Sequence, residues 1–140
     1  MKRKLGRIDI ANFPELQLSQ IDIKVDTGAY TSAIHCHEVK EVLVGEESFI
    51  QFKLLDPVHE HYNEKEFVFK NYTKRSVKSS TGVSEERFVI ETIIEIFGEN
   101  FPIELTLSNR STMKYPILLG RKFLTKRFIV DPSKKNLSTK

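Results

Sequence analysis

Lys24-Val25-Asp26-Thr27-Gly28-Ala29 is the stretch on which the reading of this chain turns. Just before it, Ile21-Asp22-Ile23-Lys24-Val25 alternates strictly, so Ile21, Ile23 and Val25 share one face of a strand. That strand delivers an aspartate into a tight turn, where Gly28 permits close backbone approach and Thr27 supplies a hydroxyl. An Asp-Thr-Gly tripeptide by itself is weak evidence, because an aspartate that only caps a turn looks the same. Far downstream, Ile117-Leu118-Leu119-Gly120-Arg121 has the form of a second apolar strand stopping at a glycine before a short helix. The pair of segments is more telling than either alone.

The remaining apolar pattern also favours strands. Phe49–Leu54, Phe67–Phe69 and the long β-branched run Arg87–Phe97 read as strands. Gly98-Glu99-Asn100 offers a turn, and Phe101–Leu107 returns as its hairpin partner, with Ile103, Leu105 and Leu107 alternating. Tyr115–Leu119 is a short apolar strand, Arg121–Arg127 a helix of about two turns, and residues 56–66 a polar loop. The expectation is an all-β chain, one domain over residues 1–140, closed or sandwich-like, with one short C-terminal helix.

Composition narrows the class. The 140 residues are 39% hydrophobic and 29% charged, an ordinary globular balance. No apolar run approaches the roughly 20 residues of a membrane span, and none follows Met1–Lys4 as a signal sequence would. Cys36 is the only cysteine, which excludes an internal disulfide and fits a reducing cytoplasm. The net charge of +3 comes from the ends: seven of the 22 cations lie in residues 1–7 and 132–140, which hold no acid. The body keeps 15 cations against 19 acids, or −4. Both ends are expected to be basic and flexible, and the net charge does not favour nucleic acid as a partner.

These segments resemble the retropepsin-like aspartic peptidases from about Ile21 to Leu124. Val-Asp-Thr-Gly-Ala is similar to their catalytic turn, and Ile117–Leu124 to the strand and helix that close behind it. A nearer resemblance is to a small bacterial and archaeal family once labelled as ATP-dependent zinc proteases. Its shared blocks match Lys24–Ala33, Ser79–Gly82 followed by Arg87–Ile90, and Asn109–Arg121. The label finds no support in the residues: there is neither a Gly-x4-Gly-Lys-Ser/Thr loop nor a His-Glu-x-x-His helix. His35-Cys36-His37 and His59-Glu60-His61 are the one candidate zinc set, since residues i and i+2 of a strand share a face. Solvated histidines are the simpler reading, and no metal or other cofactor is expected.

Aspartic catalysis needs two carboxylates sharing a proton, one as general base and one polarising the scissile carbonyl. Only Asp26 has the Thr-Gly context, so the resemblance implies a two-fold homodimer pairing Asp26 with its copy. It further implies that Thr27 hydrogen-bonds across the axis, that Gly28 lines the channel, and that a flap with its tip near Ser79-Ser80-Thr81-Gly82 closes over the site. Ala29, Tyr30 and Thr31 would meet substrate. Retroviral relatives carry two aspartates where this chain has Tyr30-Thr31, which leaves Arg121 without its acid and free for a substrate carboxylate.

Phe67–Ser84 contains Lys70, Lys74, Arg75 and Lys78 and no acid. A basic flap over an acid-poor channel points to an anionic peptide. The resemblance adds an association with ATP-grasp ligases that append glutamates to a protein tail. The expected activity is therefore an aspartic endopeptidase acting on an acidic, glutamate-tailed peptide or protein. Substrate contacts would come from Tyr30, Thr31, Lys74, Arg75, Lys78, Ser79, Ser80, Gly82 and Arg121. Two alternatives stay open: a non-catalytic module of the same fold that binds an acidic segment, and a zinc hydrolase built on His35, His37, His59 and His61.

Overall fold

The computed structural model describes residues 2–54, 65–78, 82–108 and 115–139. Among these, ten strands form one sheet: β1 (Arg3–Phe13), β2 (Leu18–Val25), β3 (Ser32–Val44), β4 (Glu47–Leu54), β5 (Glu66–Phe69), β6 (Tyr72–Lys78), β7 (Ser84–Ile96), β8 (Glu99–Ser108), β9 (Ile117–Leu119) and β10 (Phe128–Lys135). A helix, α1 (Arg121–Leu124), lies between β9 and β10, with 3-10 turns at Pro14–Leu16 and Leu137–Thr139. The strand order is β10-β1-β2-β9-β3-β8-β7-β6, and β4 and β5 extend from β3.

The sheet curls until β7 meets β1, where Asn12 pairs with Glu95 and its side-chain amide donates to the Glu95 carboxylate at 2.8 Å. The fold is all-β and barrel-like, as the alternation predicts. Inside sit Ile21, Ile23 and Val25 of β2, with Ile34, Ile90, Ile94, Leu105, Ile117, Leu119 and Phe123.

Three details differ from expectation. The β7–β8 hairpin turns on Phe97-Gly98, because Glu99 and Asn100 already pair with Ile96 and Glu95. Both loop residues have positive φ, 56° and 73°, the two-residue geometry that matches strand twist and that glycine adopts without strain. The helix is a single turn, Arg121–Leu124, followed by a turn to Arg127. Part of each basic end, expected to be flexible, lies in a strand: Arg3–Gly6 of β1 run parallel to Phe128–Asp131 of β10, and β10 continues to Lys135, opposite Ile8.

Asp9 explains how the C-terminal end is held. It is fully buried, and its carboxylate accepts the backbone N–H groups of Gly6, Ile10, Leu137 and Ser138 at 2.9–3.1 Å, besides the Ser138 hydroxyl. A buried carboxylate persists only with such donors. Here they fasten the last 3-10 turn to β1.

Candidate active site

β9 is threaded between the two strands that flank the Asp-Thr-Gly turn. It pairs parallel with β2, Lys24 with Leu118 and Val25 with Leu119, and antiparallel with β3, Ala33 with Leu118. The ladder runs one residue further, as the Asp26 N–H donates to the Leu119 carbonyl at 2.9 Å. Beyond it the chain turns. The Gly28 N–H donates to Asp26 Oδ1 at 2.9 Å, and the Ala29 N–H to the Asp26 carbonyl at 3.3 Å. This Asx geometry fixes one carboxylate oxygen, while Oδ2 has no partner among the described residues. Asp26 is half-buried, and Thr27, Gly28 and Tyr30 are exposed.

The start of α1 holds the loop from behind. Its first N–H groups lack partners within the helix. The Arg121 N–H reaches the Ala29 carbonyl at 2.8 Å, and the Lys122 N–H reaches the Tyr30 carbonyl at 2.9 Å. The Gly120 N–H donates to Ser32 Oγ at 3.0 Å. The approach is so close that a Cβ at Gly120 would lie 2.5 Å from the Thr31 carbonyl oxygen. Arg121 also donates from Nη1 to the Thr27 carbonyl at 3.1 Å, and its guanidinium stands 5.7 Å from the centre of the Tyr30 ring. Among the described residues it has no ion-pair partner.

Asp26, Thr27, Gly28, Ala29, Tyr30, Thr31 and Arg121 are thus brought together. The flap residues are not part of that group. Gly82 is exposed with φ 85°. Lys78 belongs to the backbone of β6, and Ser79 and Ser80 fall outside the described residues. Lys74 is ion-paired with Glu41 at 2.8 Å and Glu86 at 3.6 Å, Arg75 with Glu104 at 3.1 Å, and Lys70 with Glu47 at 3.0 Å. The Lys74 ammonium, a hydrogen-bond donor to Glu41, holds that carboxyl below its ordinary range. The acid-free count along Phe67–Ser84 misleads because other strands bring acids beside these cations: Glu41 of β3, Glu47 of β4, Glu86 of β7 and Glu104 of β8. A freely basic flap is therefore corrected to largely neutralised charges.

The histidine set is divided as well. His59 and His61 fall outside the described residues. His35 is buried on β3, with its ring centre 6.5 Å from that of His37. Between them, burial pushes the Cys36 thiol up to about 12, so it stays protonated at neutral pH. No group of three or more His, Cys, Asp or Glu able to hold a metal occurs among the described residues. Nor does any described helix have the length and apolar character to cross a membrane.

Sequence reasoning missed Ser32, Lys122 and Arg127. Lys122 and Arg127 line, with Thr31, Ser32 and Arg75, a cavity at the end of the loop. The available signal was the run Arg121–Arg127, with four cations and no acid.

Comparison with known proteins places this geometry in context. The chain is 35% identical over 133 residues to a probable alpha-L-glutamate ligase of Shewanella pealeana, covering 92% of this chain and 28% of that protein. A probable alpha-L-glutamate ligase of Desulfotalea psychrophila is 36% identical over 136 residues, covering 94% and 28%. The chain thus spans little more than a quarter of the length of these relatives. A crystal structure of a protein of unknown function from Legionella pneumophila superposes with a TM-score of 0.73 at 21% identity, covering 99% of both chains. That likeness concerns the fold. Residues 5–140 match the model of the RimB-like family, described as the retropepsin-like aspartic endopeptidase RimB, and the chain belongs to this family.

Proposed function

We propose that the chain is an aspartic-type endopeptidase that works as a homodimer, with Asp26 from each copy forming the acid/base pair, and that it cuts an acidic, glutamate-bearing peptide or protein tail. The observation that carries this reading is the setting of Asp26. Backbone donors and acceptors on β9 and at the start of α1 fix its turn, while its Oδ2 has no partner among the described residues and the neighbouring Thr27 and Gly28 are exposed. A second copy can approach that face, and one carboxylate per chain is half of the machinery.

In the dimer one Asp26 is ionised and the other protonated, because adjacent like charges split the two titrations. The ionised carboxylate takes a proton from water as the water oxygen bonds to the scissile carbonyl carbon. The protonated one donates a hydrogen bond to the carbonyl oxygen. Collapse of the tetrahedral intermediate breaks the C–N bond, and the amine leaves with a proton returned by the pair.

The acidic substrate draws its support from Arg121 beside Tyr30, uncharged residues at Tyr30 and Thr31, and the glutamate ligase names of the relatives. Lys74 and Arg75 add little, being ion-paired within the chain. Cys36 as a lone buried thiol fits a cytoplasmic setting.

Those ligase names also favour one alternative, a non-catalytic module that holds an acidic segment for a glutamate ligase. Incubating the purified protein and its Asp26→Asn variant with a glutamate-rich peptide separates the two by mass spectrometry. Cleavage by the parent protein alone supports the peptidase. Binding without cleavage by either supports the module.

A further inference from the structure

The cation run Arg121–Arg127 leads away from the catalytic turn to a cavity of about 210 Å³. This is far above the roughly 10–15 Å³ that holds one water. Its walls include Thr31, Arg75, Glu104, Lys122, Phe123 and Arg127. Thr31 follows directly on Tyr30, so the cavity begins where the loop carrying Asp26 ends.

The charges around it are unevenly matched. Glu104 accepts from Arg75 at 3.1 Å and also from Lys122, so one carboxylate serves two cations. Arg127 is half-buried. Its Nη1 donates to the Phe123 carbonyl at 2.9 Å, and its guanidinium stands 5.1 Å from the centre of the Phe123 ring. Among the described residues it has no ion-pair partner, although Glu91 also lines the cavity. A guanidinium carries five N–H donors in a fork that fits a carboxylate. Stacked against Phe123 and partly withdrawn from water, that fork is stiffened in advance and weakly screened.

We infer that this cavity binds a glutamyl side-chain carboxylate of the substrate through Arg127, with Lys122 as a second cation. The inference rests on the acidic-substrate reading above and adds where that acid is held. A peptide running past Tyr30 would turn one side chain over Thr31 into the cavity, while Arg121 meets a carboxylate nearer the scissile bond.

The test uses the full-length Asp26→Asn protein, which binds without cutting, and fluorescence anisotropy with two C-terminally amidated peptides, one rich in glutamate and one with glutamine in its place. Arg127→Gln should weaken the glutamate peptide about tenfold, the scale of one charge-assisted contact, and leave the glutamine peptide unchanged. Arg127→Lys, which keeps charge but loses the fork, should recover part of the loss. An undiminished glutamate peptide in Arg127→Gln overturns the cavity assignment and leaves the acidic-substrate reading standing. Equal losses on both peptides make Arg127 a structural residue and overturn it too. If the Asp26→Asn protein with Arg127 intact does not prefer glutamate to glutamine, the acidic-substrate reading fails and this inference fails with it.

Discussion

The backbone N–H of Asp26 donates to the carbonyl of Leu119 at 2.9 Å, which joins the two motif segments in one ladder. Position and orientation of the aspartate are thereby set by a strand inserted between β2 and β3, with little reliance on side chains. Whatever moves the end of β9 moves Asp26.

Gly120→Ala tests that dependence. The added Cβ would sit 2.5 Å from the Thr31 oxygen and 2.7 Å from the Tyr30 oxygen, so the loop that follows the Asp-Thr-Gly turn must shift. Overpacking of this kind costs about 1–3 kcal/mol, and a displacement near 1 Å at a reacting group costs about a hundredfold in rate. Denaturant unfolding and peptide turnover should show both losses, with turnover suffering more.

Asp9→Ala should destabilise the chain by at least ~2 kcal/mol, since a buried donor left without an acceptor costs about 1–3 kcal/mol and Asp9 serves several. Urea unfolding gives the number. Hydrogen exchange should show the N–H groups of Leu137 and Ser138 opening first.

How far the sequence could be read depended on whether burial followed a simple period. β2 was legible because Ile21, Ile23 and Val25 are buried against one face and Asp22 is exposed. β1 was not, because the buried position in phase with Ala11 and Phe13 is Asp9, a charge whose donors include Leu137 and Ser138 at the other end of the chain. β3 escaped for the opposite reason. Ser32 to Cys36 are buried without a break, as in a strand covered on both sides. Pro132 and the lysines of β10 disguise a sheet-edge strand, where a missing N–H is tolerated.

The Asp-Thr-Gly turn was legible because its hydrogen bonds are local: the N–H groups of Gly28 and Ala29 close back on Asp26. The flap charges were not, because their partners Glu41, Glu47 and Glu104 come from other strands. Counting cations along a segment cannot anticipate which acids folding brings beside them.

Glu104 gives a pH signature. Its hydrogen bond from Lys122, with Arg75 close by, holds the carboxyl below its ordinary value of 4.5. A group depressed in the folded state stabilises above its unfolded pKa and loses that contribution as pH falls through the folded one. The stability difference between the parent protein and Glu104→Gln should therefore be steady above about pH 5, at roughly 0.5–1 kcal/mol. It should shrink below pH 4.5.

Cys36 separates the aspartic account from the zinc alternative. With the thiol pushed up to about 12, it should resist alkylation at neutral pH in the folded protein and react once unfolded. EDTA should leave peptide turnover unchanged. Rapid alkylation, or activity lost to EDTA and restored by zinc, would return His35, Cys36 and His37 to consideration as ligands.

The central claim is that two copies share one catalytic pair, and mixing subunits measures it most directly. Parent protein and Asp26→Asn are combined, allowed to exchange, and assayed on a glutamate-rich peptide at constant total protein. If both aspartates are needed, activity follows the square of the parent fraction and falls to about a quarter at equal amounts. Activity that falls in simple proportion, to about half, would mean that each chain works alone and would contradict the shared dyad.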